Sequence, residues 1–357
     1  MSENEFTKDI TKVGKTESEL KLLVNEEVNN LKKTIKQKET ILENYKAEHG
    51  VLESFFRDLK EHVEAINPVP VLYKPRAGRV MVDSPCSVVV QVCDAHMGAV
   101  QRASEIEGFG EFDPEICRNR QLSFIKKVIE WVDVHRTAYT VDECVVLVLG
   151  DLISGDIHDE LRVTNAFPVP VQIVEASTVL SEQILMLSQH FPKIRVEFLV
   201  EDNHSRLTKK PQAKEAGINS YNYVIGFIAK ERASRLSNVT FNIYPQYEAS
   251  VQVSGQRYLL CHGHGIMGWS GFPYYGIERK VSREALKRMN GPDCNKFHKV
   301  IMGHWHAPLA HPFYWIGGSV SGTDAYDHKN GRHARPSQAA WFCHPKHSEF
   351  DRTDFWL

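Results

Sequence analysis

The sequence predicts an α/β fold with parallel strands at its centre, and three observations predict it. Five short runs rich in β-branched residues have the continuous apolar character of strands buried on both faces: CSVVVQV (86–92), CVVLVLG (144–150), IRVEFLV (194–200), RYLLC (257–261) and KVIMG (299–303). Stretches of helical periodicity at 115–137, 171–190 and 219–236 alternate with them. The chain has 357 residues, 42% apolar and 25% charged, enough to bury a sizeable core.

Ahead of this pattern the chain reads differently. Residues 1–15 are polar and expected to be disordered. Thr16 and Glu19 form a capping-box pattern that opens a helical segment over 16–67. Its apolar residues keep a heptad register: Val24, Val28, Leu31, Ile35, Leu42, Tyr45, Leu52, Phe56, Leu59, Val63 and Ile66, interrupted at Lys38 and His49. Two arrangements fit such a stripe, a helix lying on the body of its own chain or a coiled coil giving a homo-oligomer through residues 17–66. Gly50 leaves a helical hairpin open as well as one long helix. Prolines 68, 70, 75 and 85 supply no backbone donor and make 68–85 an extended linker, so residues 86–357 form the α/β domain.

Bulk composition narrows the classes. A formal net charge of −2 gives no global basic field, so contact with nucleic acid must rest on local patches. Seven cysteines without a CxxC pair read as reduced, buried thiols. The N-terminal residues hold no apolar leader and no run reaches membrane-span length, which predicts a cytoplasmic protein with no membrane partner. The 17 histidines are the informative residues, because imidazole both ligates metals and carries protons near neutral pH.

Those histidines gather at the carboxyl ends of the predicted strands. The first strand runs into Asp94-Ala95-His96, the second into Gly150-Asp151, and the third into Asn203-His204. The fourth leads to His262-Gly263-His264 and the fifth to Gly303-His304-Trp305-His306. Ligand sites of open α/β sheets lie outside the carboxyl ends of the strands. Each motif alone is a weak signal, but five in succession converge on one edge. Carboxylate oxygens with imidazole nitrogens suit manganese, iron, zinc or magnesium. The set is large enough for two ions sharing one carboxylate, and two ions about 3.5–4 Å apart clamp both the attacking and leaving oxygens of a phosphoryl displacement.

The ordered series DAH (94–96), GDLISG (150–155), DNH (202–204), CHGH (261–264) and GHWH (303–306) resembles the calcineurin-like metallophosphoesterase superfamily over about residues 86–345. Within it the chain is most similar to the DNA-repair exonuclease and phage phosphoesterase branch, which keeps the second histidine of G-H-x-H. The resemblance implies two mixed β-sheets sandwiched between helices, with a dinuclear metal centre along their shared edge. It assigns one divalent ion to Asp94, His96, Asp151 and His306, and the other to Asp151, Asn203, His262 and His304. Asp151 would bridge, together with a hydroxide that acts as nucleophile, and His204 would protonate the leaving oxygen. Manganese is the expected metal.

The remaining candidates are local. His262 directly follows the apolar YLLC and is preferred to His264 as ligand. His158 and Asn165, shortly after Asp151, are candidate substrate contacts or parts of a capped turn. Arg206, Lys209, Lys210 and Lys214 could track a phosphate backbone or be a solvated face. Trp305 either packs on the sheet or stacks on a base, Cys93 and Cys261 belong to the core, and Tyr274, Tyr275 and Arg279, after the fourth motif, are expected as a solvated loop or as substrate contacts. The His- and Arg-rich segments DHKNGRHARP and HPKHSEFDRTDFWL read as a solvated tail, with contact to a polyanion as the alternative. The expected function is hydrolysis of phosphodiesters in DNA or RNA. The alternatives are a small-molecule or cyclic-nucleotide phosphodiesterase or phosphatase, and an assembly protein acting through its coiled coil. Asp202 stands where the resembled motif has glycine, a turn position of positive φ, so Asp202→Gly is expected to keep metal binding and raise turnover.

Overall fold

The computed structural model describes residues 17–72, 85–267, 271–292 and 295–357, in two units that divide between His62 and Val63. The first unit is one uninterrupted helix, α1 (Glu17–His62), so Gly50 ends nothing. Residues 1–15, Thr16 of the capping box and most of the 68–85 linker lie outside the described residues. Among the described residues, no helix is long and apolar enough to cross a membrane.

The second unit holds two mixed sheets. The first contains β1 (Cys86–Val92), β2 (Val141–Val148), β3 (Lys193–Leu199), β4 (Val239–Tyr244), β10 (Ser337–His344) and β11 (Ser348–Trp356) in the order β11-β10-β1-β2-β3-β4. Strands β1 to β4 are parallel and β10 and β11 antiparallel. The second contains β5 (Ala249–Val253), β6 (Gln256–Leu260), β7 (Lys299–Met302), β8 (Leu309–His311) and β9 (Tyr314–Ile316) in the order β5-β6-β7-β9-β8. Here β6, β7 and β9 are parallel.

The two-residue period of a strand explains how the layers stack. In β1, Val88, Val90 and Val92 face a core shared with helices α2 (Pro114–His135), α4 (Val169–His190) and α5 (Tyr221–Ala233). Val89 faces the other way, into a core with Val145, Leu147, Tyr258, Leu260, Ile301 and Trp341, where the two sheets meet. Alternate residues of the second sheet, Leu259, Val300 and Met302, pack outward against Ile277 of α6 (Tyr274–Met289). Two mixed sheets flanked by helices result, as expected. Two short helices, α3 (Leu161–Thr164) and α7 (Ala325–Lys329), decorate the loops. Local capping agrees with the sequence: Asp113 accepts from Ile116 N at 2.8 Å ahead of Pro114, and Ser220 accepts from Asn222 N at 3.2 Å.

The reading of the C-terminal segments as a solvated tail is corrected. Ser348–Trp356, in the second segment, is a strand paired along the buried β10 as the sheet edge, and Asp327 of the first segment is buried. Edge strands face solvent on one side and so carry polar residues, which disguises HSEFDRTDFWL as a tail.

Candidate metal centre

Every strand-end motif meets at one edge of the sandwich. Beyond their last paired residues, the β1 and β2 chains stay in parallel contact: Asp94 N and His96 N donate to Gly150 O at 3.1 Å and Asp151 O at 3.0 Å. Glycine is required where these loops cross. A Cβ on Gly155 would sit 2.1 Å from the His204 carbonyl oxygen, and one on Gly303 would sit 2.4 Å from Asp94 Oδ2.

Asp151 is the centre of the constellation and is buried. Its Oδ2 lies 3.0 Å from His262 Nε2 and 4.0 Å from His204 Nε2, and its Oδ1 accepts from His204 N at 3.2 Å. Ligand atoms close enough to share an ion come together in Asp94–His96–His306, in Asp151–His262–His304, and in His96–Asp151–His204. Asn203 Oδ1 is 3.0 Å from His262 Nε2. All seven residues expected to ligate, with His204 beside them, therefore share one site.

The donor set fits divalent cations. Asp94 Oδ2 is buried with no hydrogen-bond partner, although a buried carboxylate oxygen demands one or a cation. The imidazoles are turned to present lone pairs inward. His262 Nδ1 donates to Leu149 O at 2.7 Å and His306 Nδ1 to Asp327 Oδ2 at 2.8 Å, which frees Nε2 on each ring. His96 Nε2 and His306 Nε2 approach to 3.0 Å, so the two nitrogens converge on one point, where a cation would replace the proton between them.

Electrostatics without metal tell the same story. Burial pushes His262 down, but the Asp151, Asp94 and Asp202 carboxylates outweigh it and hold the imidazole up at about 10. Burial likewise lowers His306, while Asp327, Asp324 and Asp94 raise it to about 10. Burial and neighbouring imidazoles keep His96 and His304 well below the usual histidine range. Burial raises Asp94. The pocket calls for positive charge, and in its absence two imidazoles carry it.

His204 differs from the other histidines of the cluster. Its Nδ1 donates to Ser154 O at 2.7 Å, its ring meets the His96 ring edge-on at 4.7 Å, and the ring is half-buried at the mouth. Nε2 is left facing the carboxylate of Asp151.

The other sequence candidates spread around this mouth. The His158 ring lies 5.9 Å from that of His204. Asn165 Nδ2 donates to Gly155 O at 2.6 Å, which ties down the Asp151 loop. Arg206 donates to Thr208 O and Lys209 O and so holds its own loop, Lys209 Nζ lies 2.5 Å from Asp159 of the loop after Asp151, and Lys210 is exposed. His264 Nε2 lies 3.1 Å from Glu201 and is not among the converging donors. Trp305, Cys93 and Cys261 are buried.

The turn at Asp202 is corrected. Its φ is not positive; Gly150, at φ 91°, is among the left-handed residues of this crossing. Asp202 is buried, and its carboxylate accepts from Asp151 N at 2.7 Å, Ser205 N at 2.8 Å, Ser205 Oγ and Asn222 Nδ2. Burial and the Asp151 charge raise its pKa to about 6. Asp202 splints Asp151 and is not a stray charge facing the substrate. Sequence reasoning missed Asp327 and Glu201; a buried carboxylate aimed at a ligand histidine from 21 residues downstream leaves no local signal.

No family model and no curated protein matches this chain. Among solved structures it is similar to Vps29 of Entamoeba histolytica crystallised with zinc, at 11% identity and a TM-score of 0.31, covering 75% of this chain and 98% of that one. It is similar to vacuolar protein sorting 29 of Cryptosporidium parvum at 11% identity and a TM-score of 0.33, covering 76% and 99%. It is similar, too, to a predicted phosphoesterase of Streptococcus pneumoniae at 11% identity and a TM-score of 0.27, covering 76% and 98%. Likenesses of this size carry no argument about chemistry, which rests on the site itself.

Proposed function

We propose that the chain is a metallophosphoesterase of the calcineurin-like type that hydrolyses phosphodiesters, with nucleic acid as its substrate class. The observation that carries this reading is Asp151, a buried carboxylate standing between two sets of inward-facing histidines. Asp94, His96, Asp151 and His306 would hold one divalent ion; Asp151, Asn203, His262 and His304 would hold the other. Manganese suits this oxygen and nitrogen set, as do iron, zinc and magnesium. Bound ions would supply Lewis-acid polarisation of the phosphate and a water acidic enough to act near neutral pH.

The protein's own part is to place a proton. With Nδ1–H of His204 held by Ser154 O, the mobile proton sits on Nε2, on the side of Asp151. In the imidazolium form Nε2 stabilises the phosphate and then protonates the leaving oxygen. Neutral Asn203 keeps the second half of the site from accumulating negative charge, which favours an anionic substrate. The G-H-x-H form and the exposed Lys210 and Lys214 beyond His204 support a polymeric phosphodiester.

Purified protein with Mn²⁺ should be assayed on single- and double-stranded DNA, RNA, bis-p-nitrophenyl phosphate and p-nitrophenyl phosphate. Cleavage of nucleic acid and of the diester, abolished in His204→Ala, is the expected result. Hydrolysis of small esters alone would reject nucleic acid as substrate, and silence on every substrate would reject the hydrolase.

A further inference from the structure

Helix α1 is about 69 Å long at the standard rise of 1.5 Å per residue. Along one stripe, Val24, Val28, Leu31, Ile35 and Leu42 each keep 40–60% of their surface exposed. Single exposed apolar residues are ordinary, but a continuous stripe marks an interaction surface. Their spacing alternates four and three residues, which puts Val28, Ile35 and Leu42 at heptad positions a and Val24, Leu31 and Lys38 at positions d. The outer positions are Glu26, Asn29, Asn30, Lys33, Lys36, Gln37, Thr40, Glu43 and Asn44, all polar.

We propose that residues 24–42 form a parallel, in-register, two-stranded coiled coil with a second copy of this chain. Two features select that occupant. Two of the three a positions are β-branched, Val28 and Ile35, with Leu42 at the third and Leu31 at the central d, a pattern that leans toward two strands over three or four. Charge selects the direction. In a parallel pair position g faces e of the partner's next heptad, so Glu27 meets Lys32 of the other copy, and the two-fold axis repeats the pair. An antiparallel pair sets g against g, and the g positions are Glu27, Thr34 and Ile41, which offer Glu27 no cation. Lys38 interrupts the seam at a d position, where the two copies' ammonium groups face each other and cost the pair some stability.

The full-length chain should sediment at twice 40.7 kDa. The double variant Leu31→Asp, Ile35→Asp should sediment as a monomer while the α/β unit keeps its thermal transition. Direction is read by thiol cross-linking in the otherwise unchanged chain. Under mild oxidation Val28→Cys should form a covalent dimer, Lys36→Cys on the outer face should not, and the unsubstituted chain, whose described cysteines are all buried, serves as control. A monomeric wild type, or a trimer or tetramer, would overturn the proposal. So would a dimer that survives the double aspartate variant, or one in which Val28→Cys fails to cross-link. Capture of a different helix in place of a second copy would appear as a monomeric purified chain.

Discussion

Single side chains decide whether the site can hold a cation. Asp327 accepts from His306 Nδ1 and lies 3.5 Å from Arg332, so it fixes the ring's tautomer and orientation from behind. Outer carboxylates of this kind typically contribute about 10–100-fold to metal affinity. Asp327→Ala is expected to weaken Mn²⁺ or Zn²⁺ binding by about that factor in calorimetry, and Asp327→Asn, which keeps an acceptor, by less. Unchanged affinity in both would remove Asp327 from the site. Asp202 makes a structural contribution of a different size. Losing its carboxylate strands Asp151 N, Ser205 N and Asn222 in the interior, so Asp202→Gly should cost about 2–4 kcal/mol of stability in urea titration, with activity falling. This reverses the expectation drawn from the glycine of the resembled motif. The residue type at position 202 was legible in the sequence, but its four hydrogen-bond partners come from three separate segments and were not.

At the scale of elements, what was legible follows from burial on two faces. β1, β2, β3, β6 and β7 are central or nearly so, and their apolar runs match the observed strands to within a few residues. The edge strand β11 and the three-residue β8 and β9 are too polar or too short to show a period. Helix α6 was equally obscure, since its mixed sequence YYGIERKVSREALKRM buries chiefly Ile277 and Glu284. An ion cluster anchors it. Glu284 meets Lys280 at 3.0 Å, Lys287 at 2.6 Å and Arg288, and the same cations reach Glu248. Burial pushes Glu284 up, but the three cations outweigh it and hold the carboxyl at about 2. The folded value lies below the ordinary 4.5, so the stabilisation is complete above that pH and is lost as pH falls toward 2. The stability difference between wild type and Glu284→Gln should stay flat between about pH 8 and pH 5 and shrink below about pH 4.5 in denaturant titrations. A difference that grows on acidification would contradict the cluster.

For the whole molecule, the α/β unit positions the chemistry and α1 presents an apolar stripe. The sequence changes from heptads to strands across the prolines, whereas the two units divide earlier, between His62 and Val63. One feature of the α/β unit reaches further than its local geometry. Asp94, His96, Asp151, His304 and His306 all adopt left-handed backbone, with φ between 48° and 70°. Non-glycine residues in that region cost about 1 kcal/mol or more each, so the five together cost on the order of 5 kcal/mol. A domain's entire margin against unfolding is only about 5–15 kcal/mol. The edge that converges the histidines thus stores backbone strain, and cations that bind only the folded form would offset it. Saturating Mn²⁺ at a hundred times its dissociation constant stabilises by about 2.7 kcal/mol per site, and should raise the melting temperature by at least about 5 °C, with chelation reversing the shift. An unmoved melting temperature would mean that these strained turns are stabilised without cations. If the shift is found, metal supply sets how long the protein survives heat and proteases, as well as how fast it turns over substrate.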